Sequence, residues 1–341
     1  MRAIVMRAHG GPEVLQLEET ADPQAAPGQV RVRVRACALN HLDLWTRRGL
    51  PGRSVPFPHI LGNDIAGEIE ELPAPIEGLA VGQRVMLSPG TSCGRCAMCL
   101  SGEDNSCRQY RILGAHIHGG YAERVCSPAA NVIPIPDHVD FAHAAAFPLV
   151  FLTAWRMLVT RAQVKRGEDV LVWAAGSGVG MAAIQIAKVL GARVIATAGG
   201  AKAERARALG ADETIDHYAD DVPAEVRRLT GKKGVEVVIE HVGEATWERS
   251  IQCLAHRGRL VTCGATTGPL GRTELRYLFS KQLSLLGSYM GSKAELLAAA
   301  PLFFAGLLRT VVHEAMPLAD ARRAHEMMES SQHFGKIVLE P

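Results

Sequence analysis

Four cysteines crowd between positions 93 and 107 of this 341-residue chain: Cys93, Cys96, Cys99 and Cys107, spaced C-x2-C-x2-C-x7-C. Thiolates bind tetrahedral zinc at about 2.3 Å, and closely spaced cysteines in a turn-rich loop can converge on one ion. With all four positions taken by sulfur no place is left for water, so the expected metal is structural rather than catalytic. An iron–sulfur cluster is the alternative use of such a ligand set. The remaining four cysteines are scattered, and no secretion signal precedes them, which argues for a reducing compartment instead of a disulfide framework.

A second stretch, DVLVWAAGSGVGMAAIQIAKVLGA, puts Gly176, Ser177, Gly178, Val179 and Gly180 between an apolar run and a helical pattern. Glycines there permit a tight turn and close approach of the backbone to a pyrophosphate, which sits at the helix N-terminus. The run departs from a literal GxGxxG, with Ala175 and Ser177 at the first two glycine positions. An acidic residue after the next strand would bind the adenosine ribose and select NAD. Ala198 stands there, followed by Gly199, Lys202 and Arg205, a pattern that favours the 2′-phosphate of NADP and leaves NAD possible.

Elements must hold these groups in place. VRVRVR at 30–35 alternates strictly, as a half-buried strand does. Ile65–Glu70 and Arg84–Leu87 read as further short strands between glycine and proline breaks, Pro51, Gly52, Pro58 and Gly62 among them. After about residue 150 strands alternate with helices, which implies a parallel sheet with right-handed crossovers. Helices are expected over 202–209, around Trp247–Leu254 and over 318–329, and a further strand within 281–287. The predicted class is therefore α/β, a small β-rich unit beside a doubly wound parallel sheet.

Net charge is +2, from 37 basic and 35 acidic residues spread along the chain, which gives no footprint for nucleic acid or an anionic membrane. The longest apolar stretch, 142–158, is broken by His143, Pro148 and Arg156 and reads as core, since a span needs about 20 apolar residues. A cytoplasmic protein is expected.

These features together resemble the medium-chain dehydrogenase/reductase family, which includes zinc alcohol dehydrogenases and quinone oxidoreductases. The resemblance rests on Gly28 in APGQVRVRVRA, LGNDIAG at 61–67, the cysteine lobe, GGYAERV at 119–125, AAGSGVG and FGKIVL. It implies a GroES-like β-rich catalytic domain over 1–150 and 289–341, a Rossmann domain over 151–288, and a homodimer or homotetramer. Anchored on Asp43, Gly62 and Gly67, the positions of the family's catalytic zinc ligands hold Asn40, Asn63 and, near the third, Leu149; Asp64 stands at the neighbouring acidic position. Leu42 and Trp45 replace the hydroxyl–histidine relay. Quinone oxidoreductases and enoyl reductases of the family also carry Asn at the first position and work without zinc. The resemblance therefore implies hydride transfer from NADPH to a quinone, an enone or a related carbonyl substrate, with Asn40, Asp43, Asn63 and Asp64 as the catalytic set. Softer carry-overs to the cofactor are His41, Thr153, His241, Val242, Cys263 and Gly264. A zinc alcohol dehydrogenase using a shifted pair, Cys37 and His59, is a rival, and a non-enzymatic NADPH-binding protein is another.

Overall fold

The computed structural model describes residues 1–49 and 55–341, so Pro51 and Gly52 lie outside the described residues. Two compact units emerge. The first comprises Met1–Leu149, Ser292–Leu296 and Thr310–Pro341, the second Val150–Gly291 and Leu297–Arg309.

The first unit is built on the alternating segment, a strand over Gln29–Ala38. It pairs antiparallel with Asp64–Glu71 on one side, and with Arg124–Pro128 and Lys336–Glu340 on the other. Val30, Val32 and Val34 are buried, whereas Arg33 and Arg35 are exposed and paired with Glu70 and Glu68. The alternation ends at Arg35, where the pairing register shifts, and Ala36, Cys37 and Ala38 are all fully buried. Cys37 therefore leaves the solvent face that its phase with Arg31, Arg33 and Arg35 suggests. His59 lies in a two-residue strand paired with Met6 and is buried.

The second unit carries a six-stranded parallel sheet. Numbered along the chain, its strands are Asp169–Val172, Arg193–Thr197, Glu213–Ile215, Val235–Glu240, Leu254–Thr262 and Ser284–Gly287, and they lie in spatial order 3-2-1-4-5-6. That is the doubly wound Rossmann order, whose ligand crevice opens beyond the strand C-termini where the order reverses, between strands 1 and 4. The core under it packs Leu171, Trp173, Ile195, Val238 and Leu260. The helix over Val222–Leu229 escaped the sequence reading because it is short, charged and carries Pro223 as its second residue. The expected helix over 318–329 starts as a 3-10 turn, Leu318–Asp320, before Ala321–Glu329. No helix among the described residues is long and apolar enough to cross a membrane.

Candidate functional site

In the first unit, Asn40 closes the central strand and precedes the helix His41–Arg48. Asp43, one turn into that helix and fully buried, accepts the backbone N–H of Asn40 (2.8 Å) and of Gly62 (2.9 Å). Burial pushes Asp43 up to about 7, against the pull of those two N–H groups. Gly62 has φ +101°, and a Cβ there would lie 2.6 Å from the Tyr121 ring and 2.7 Å from Cys37 Sγ. Glycine is thus required at the turn that delivers Asn63 and Asp64.

Asn40 Nδ2 donates to Asp64 Oδ2 at 2.9 Å, and the backbone N–H of Leu149 donates to Asp64 Oδ1 at 2.8 Å. Lys336 Nζ, 2% exposed, donates to Asn40 Oδ1 at 2.6 Å and to Asp64 Oδ2 at 3.0 Å. Removing one partner of such a buried ion pair costs about 3–5 kcal/mol, because the other charge is left uncompensated. Asn63 is fully buried; its Nδ2 donates to Leu113 O at 2.6 Å and its Oδ1 has no partner among the described residues. Among the described residues, each of these carboxamides keeps one amide hydrogen outside these bonds.

Among the described residues, Cys37 and His59 belong to no group of three or more His, Cys, Asp or Glu side chains placed to share a metal. Cys37 lies under Gly62 and Gly120, and burial raises its thiol pKa well above normal. His59 Nε2 donates to Gly114 O at 3.1 Å, which leaves Nδ1 as an unpartnered acceptor.

The cysteine lobe hangs on a two-strand ribbon, Gly90–Thr91 against Arg111–Ile112, and Asp104 Oδ1 fixes it to the backbone N–H of Lys293. The four Sγ atoms lie within 4.8 Å of one another, with Cys93–Cys99 at 3.8 Å and Cys96–Cys99 at 3.5 Å. A tetrahedron with zinc–sulfur bonds of about 2.3 Å has edges of roughly 3.8 Å, so the donor set has the size and chemistry for zinc. Backbone N–H groups of Arg95 and Cys96 lower the pKa of the Cys93 thiol, whereas for Cys96 the pull of a Cys99 backbone N–H is outweighed by the hydrogen bonds it shares with the other thiols, which raise its pKa. Among the described residues this is the only group of three or more His, Cys, Asp or Glu side chains so clustered.

In the second unit, Ser177 caps the helix Gly178–Val189, its Oγ accepting the Gly180 N–H at 2.9 Å. His241, at the C-terminal end of the fourth strand, donates from Nε2 to Trp173 O (3.0 Å) and lies 3.3 Å from Ser177 Oγ. Gly176, Ser177, Gly178, Val179 and His241 thus gather where the strand order reverses. Val242, Cys263 and Gly264 follow the fourth and fifth strands, as strand ends at such a crevice do. Thr153 is buried in the helix Pro148–Trp155 of this unit. His41 belongs to the first unit, with its ring 6.2 Å from that of Trp45. Ala198 is buried at the end of the second strand, and Gly199 and the helix Lys202–Ala208 follow. Burial and the nearby Arg205 lower the Lys202 pKa.

Residues 26–137 match the family described as "Alcohol dehydrogenase GroES-like domain", and residues 178–305 that described as "Zinc-binding dehydrogenase". The quinone oxidoreductase of Pseudomonas aeruginosa is 35% identical, over 100% of this chain and 99% of that protein. The chain belongs to the medium-chain dehydrogenase/reductase family. It is an NAD(P)-dependent oxidoreductase with the GroES-like and Rossmann domains of that family. A 2-haloacrylate reductase from a Burkholderia species is 32% identical to this medium-chain dehydrogenase/reductase, over 99% of it and 98% of the relative. A crystal structure titled NAD-dependent alcohol dehydrogenase is 49% identical, with a TM-score of 0.97 and full coverage of both chains.

Two groups of this medium-chain dehydrogenase/reductase escaped the sequence reading. His217, whose pKa burial lowers, feels the charges of both Arg249 and Lys202, and its buried Nδ1 has no partner among the described residues. His325, fully buried, accepts from Arg47 at Nδ1 (3.0 Å) and donates from Nε2 to the buried Tyr121 hydroxyl (3.2 Å). Burial, with the charges of Arg47 and Arg48, pushes His325 down to about 3. Its folded pKa lies below the unfolded value, so its contribution is full above pH 6.5 and is lost as pH falls toward 3. Between pH 7 and pH 4 wild type is expected to lose about 3 kcal/mol more stability than His325→Gln. Urea titrations of both proteins at the two pH values measure this, and equal losses would place the acid sensitivity elsewhere.

Proposed function

We propose that this enzyme reduces a quinone or an α,β-unsaturated carbonyl compound with NADPH, without a catalytic zinc. The observation that carries the reading is the pair of buried carboxamides, Asn40 and Asn63, at the zinc-ligand positions. Asn40 turns its oxygen to an ammonium and Asn63 its nitrogen to a carbonyl. Zinc prefers thiolate, imidazole and carboxylate, and Leu149 offers it nothing. The residues present do not fit a catalytic zinc.

NADPH supplies a hydride to the acceptor, whose oxygen gains negative charge. An oxygen conjugated in this way spreads that charge itself, so hydrogen-bond donors suffice. Asn40 and Asn63 supply them, each worth roughly 2.7–4 kcal/mol when well placed. Asp43 and Asp64 act through Asn40 and its loop as positioning groups. The dinucleotide is held by Gly176–Gly180, with Ser177 and His241 at the pyrophosphate turn, and by Gly199, Val242, Cys263 and Gly264 at the strand ends. His41 and Thr153 complete the proposed cofactor set. Lys202 and Arg205 bind the 2′-phosphate. Cys93, Cys96, Cys99 and Cys107 hold one structural zinc per chain.

Two relatives support this reading by name, one a quinone oxidoreductase and the other a reductase of an unsaturated acid. A second reading, alcohol oxidation with NAD, is favoured by the 49% identical structure. The pure protein separates them when assayed with NADPH and NADH against benzoquinone and cyclohexenone, and with NAD and NADP against ethanol. NADPH-dependent reduction indifferent to chelators is expected, with NADPH preferred to NADH. Robust, chelator-sensitive ethanol oxidation would overturn the assignment.

Among the described residues the Ser284–Gly287 strand pairs with one neighbouring strand only, and the helix leading into it, Leu275–Ser280, exposes Leu275 and Phe279. An open edge beside apolar surface supports self-association as a homodimer or homotetramer.

A further inference from the structure

Lys336 is a buried cation that the reading above leaves without a task. Its ammonium touches two groups, Asn40 Oδ1 at 2.6 Å and Asp64 Oδ2 at 3.0 Å, and those two are themselves joined through Asn40 Nδ2 at 2.9 Å. The three side chains close a triangle, all of them within 5% of full burial.

A carboxamide can be turned end for end with little change of shape, exchanging its donor and acceptor ends. Turned here, the Asn40 nitrogen would face the ammonium, donor against donor. Its oxygen would face the Asp64 carboxylate, acceptor against acceptor. Both contacts would fail in a buried setting, where unpaired polar groups are costly. Only one orientation survives, and in it the unused hydrogen-bonding capacity of Asn40 includes an amide hydrogen. We propose that Lys336, together with Asp64, is the positioning element that holds Asn40 as a hydrogen-bond donor to the acceptor oxygen during hydride transfer. This rests on the reading that Asn40 donates to that oxygen. The ammonium also draws electron density toward Oδ1, which polarises the amide N–H and strengthens the bond it gives. No proton leaves Lys336; it acts through Asn40.

A double-mutant cycle tests the idea. The paired variant Asp64→Asn/Lys336→Met removes both buried charges together, so neither is stranded, and it frees the carboxamide to turn. NADPH-dependent quinone reduction is measured in wild type, Asn40→Ala, the paired variant and the triple variant. In wild type Asn40→Ala should lower kcat by about 100-fold with the KM for NADPH unchanged. The paired variant should itself lose about 30-fold or more in kcat, and adding Asn40→Ala to it should cost less than about threefold further, so that the triple variant matches Asn40→Ala alone. Lys336→Arg, which keeps the cation, should retain most of the activity. An Asn40→Ala loss equally large in both backgrounds would show that Lys336 serves structure alone, and this proposal would fall while the Asn40 donor stands. No loss from Asn40→Ala in wild type would overturn both.

Discussion

Replacing Cys99 with serine is expected to release one zinc ion per chain and to lower the melting temperature by about 10 °C. Cys99 Sγ lies 3.8 Å from Cys93 Sγ and 3.5 Å from Cys96 Sγ. A serine hydroxyl is a poor ligand at neutral pH, so the tetrahedral set fails as a whole. In small peptides a structural zinc contributes roughly 10–16 kcal/mol to folding. Here the ribbon at 90–91 and 111–112 and the Asp104–Lys293 contact hold part of the lobe without it. A loss of about 3–5 kcal/mol is therefore expected, at roughly 2–4 °C per kcal/mol for a domain of this size. Elemental analysis and a thermal melt of both proteins measure the effect. Reduction at 25 °C should persist in the variant, because the proposed zinc is structural rather than catalytic. Protein that carries no zinc when carefully purified, and a variant that melts with wild type, would remove the metal from the lobe.

Gly180→Val is expected to abolish measurable NADPH binding, a loss of at least about 100-fold, or roughly 2.7 kcal/mol. A Cβ at 180 would lie 2.3 Å from Ala174 O and 3.0 Å from Ala175 Cα, backbone atoms that cannot swing aside. The helix Gly178–Val189 would have to move off the strand it follows, carrying the Gly180 N–H away from Ser177 Oγ. That breaks the cap and the pyrophosphate turn together, and such overpacking costs about 1–3 kcal/mol in stability besides. Nucleotide fluorescence titration gives the affinity, and circular dichroism shows whether the variant is folded. A folded variant that binds NADPH like wild type would mean that the pyrophosphate lies elsewhere.

The parts legible in the sequence were those written in local spacing. Strict alternation gave the central strand, the strand–helix rhythm gave the parallel sheet, and the paired glycines of LGNDIAG framed Asn63 and Asp64. What stayed hidden depends on distant partners. Lys336 stands in GKIVL, where a lysine reads as a strand end in solvent, and its carboxylate partner is 272 positions away. His325 and Arg47 belong to helices with ordinary polar faces and meet across 278 positions. His217, which feels the charges of Lys202 and Arg249, lies beyond the third strand, so a search confined to the second strand and its helix could not include it. The bulge at Arg35, which carries Cys37 inward, leaves no mark on the VRVRVR pattern.

The separation between Asp64 and Lys336 also sets an order of events during synthesis. Domains generally fold as units while the chain emerges. The whole second unit, through Arg309, leaves the ribosome before the strand Lys336–Glu340 does. Until then the first unit lacks both that strand beside Gln29–Ala38 and the ammonium that answers Asp64. The nucleotide-binding half can mature first, while the half that carries Asn40 waits for its final strand to arrive. The orientation of that amide is thus among the last features of the native state to be set.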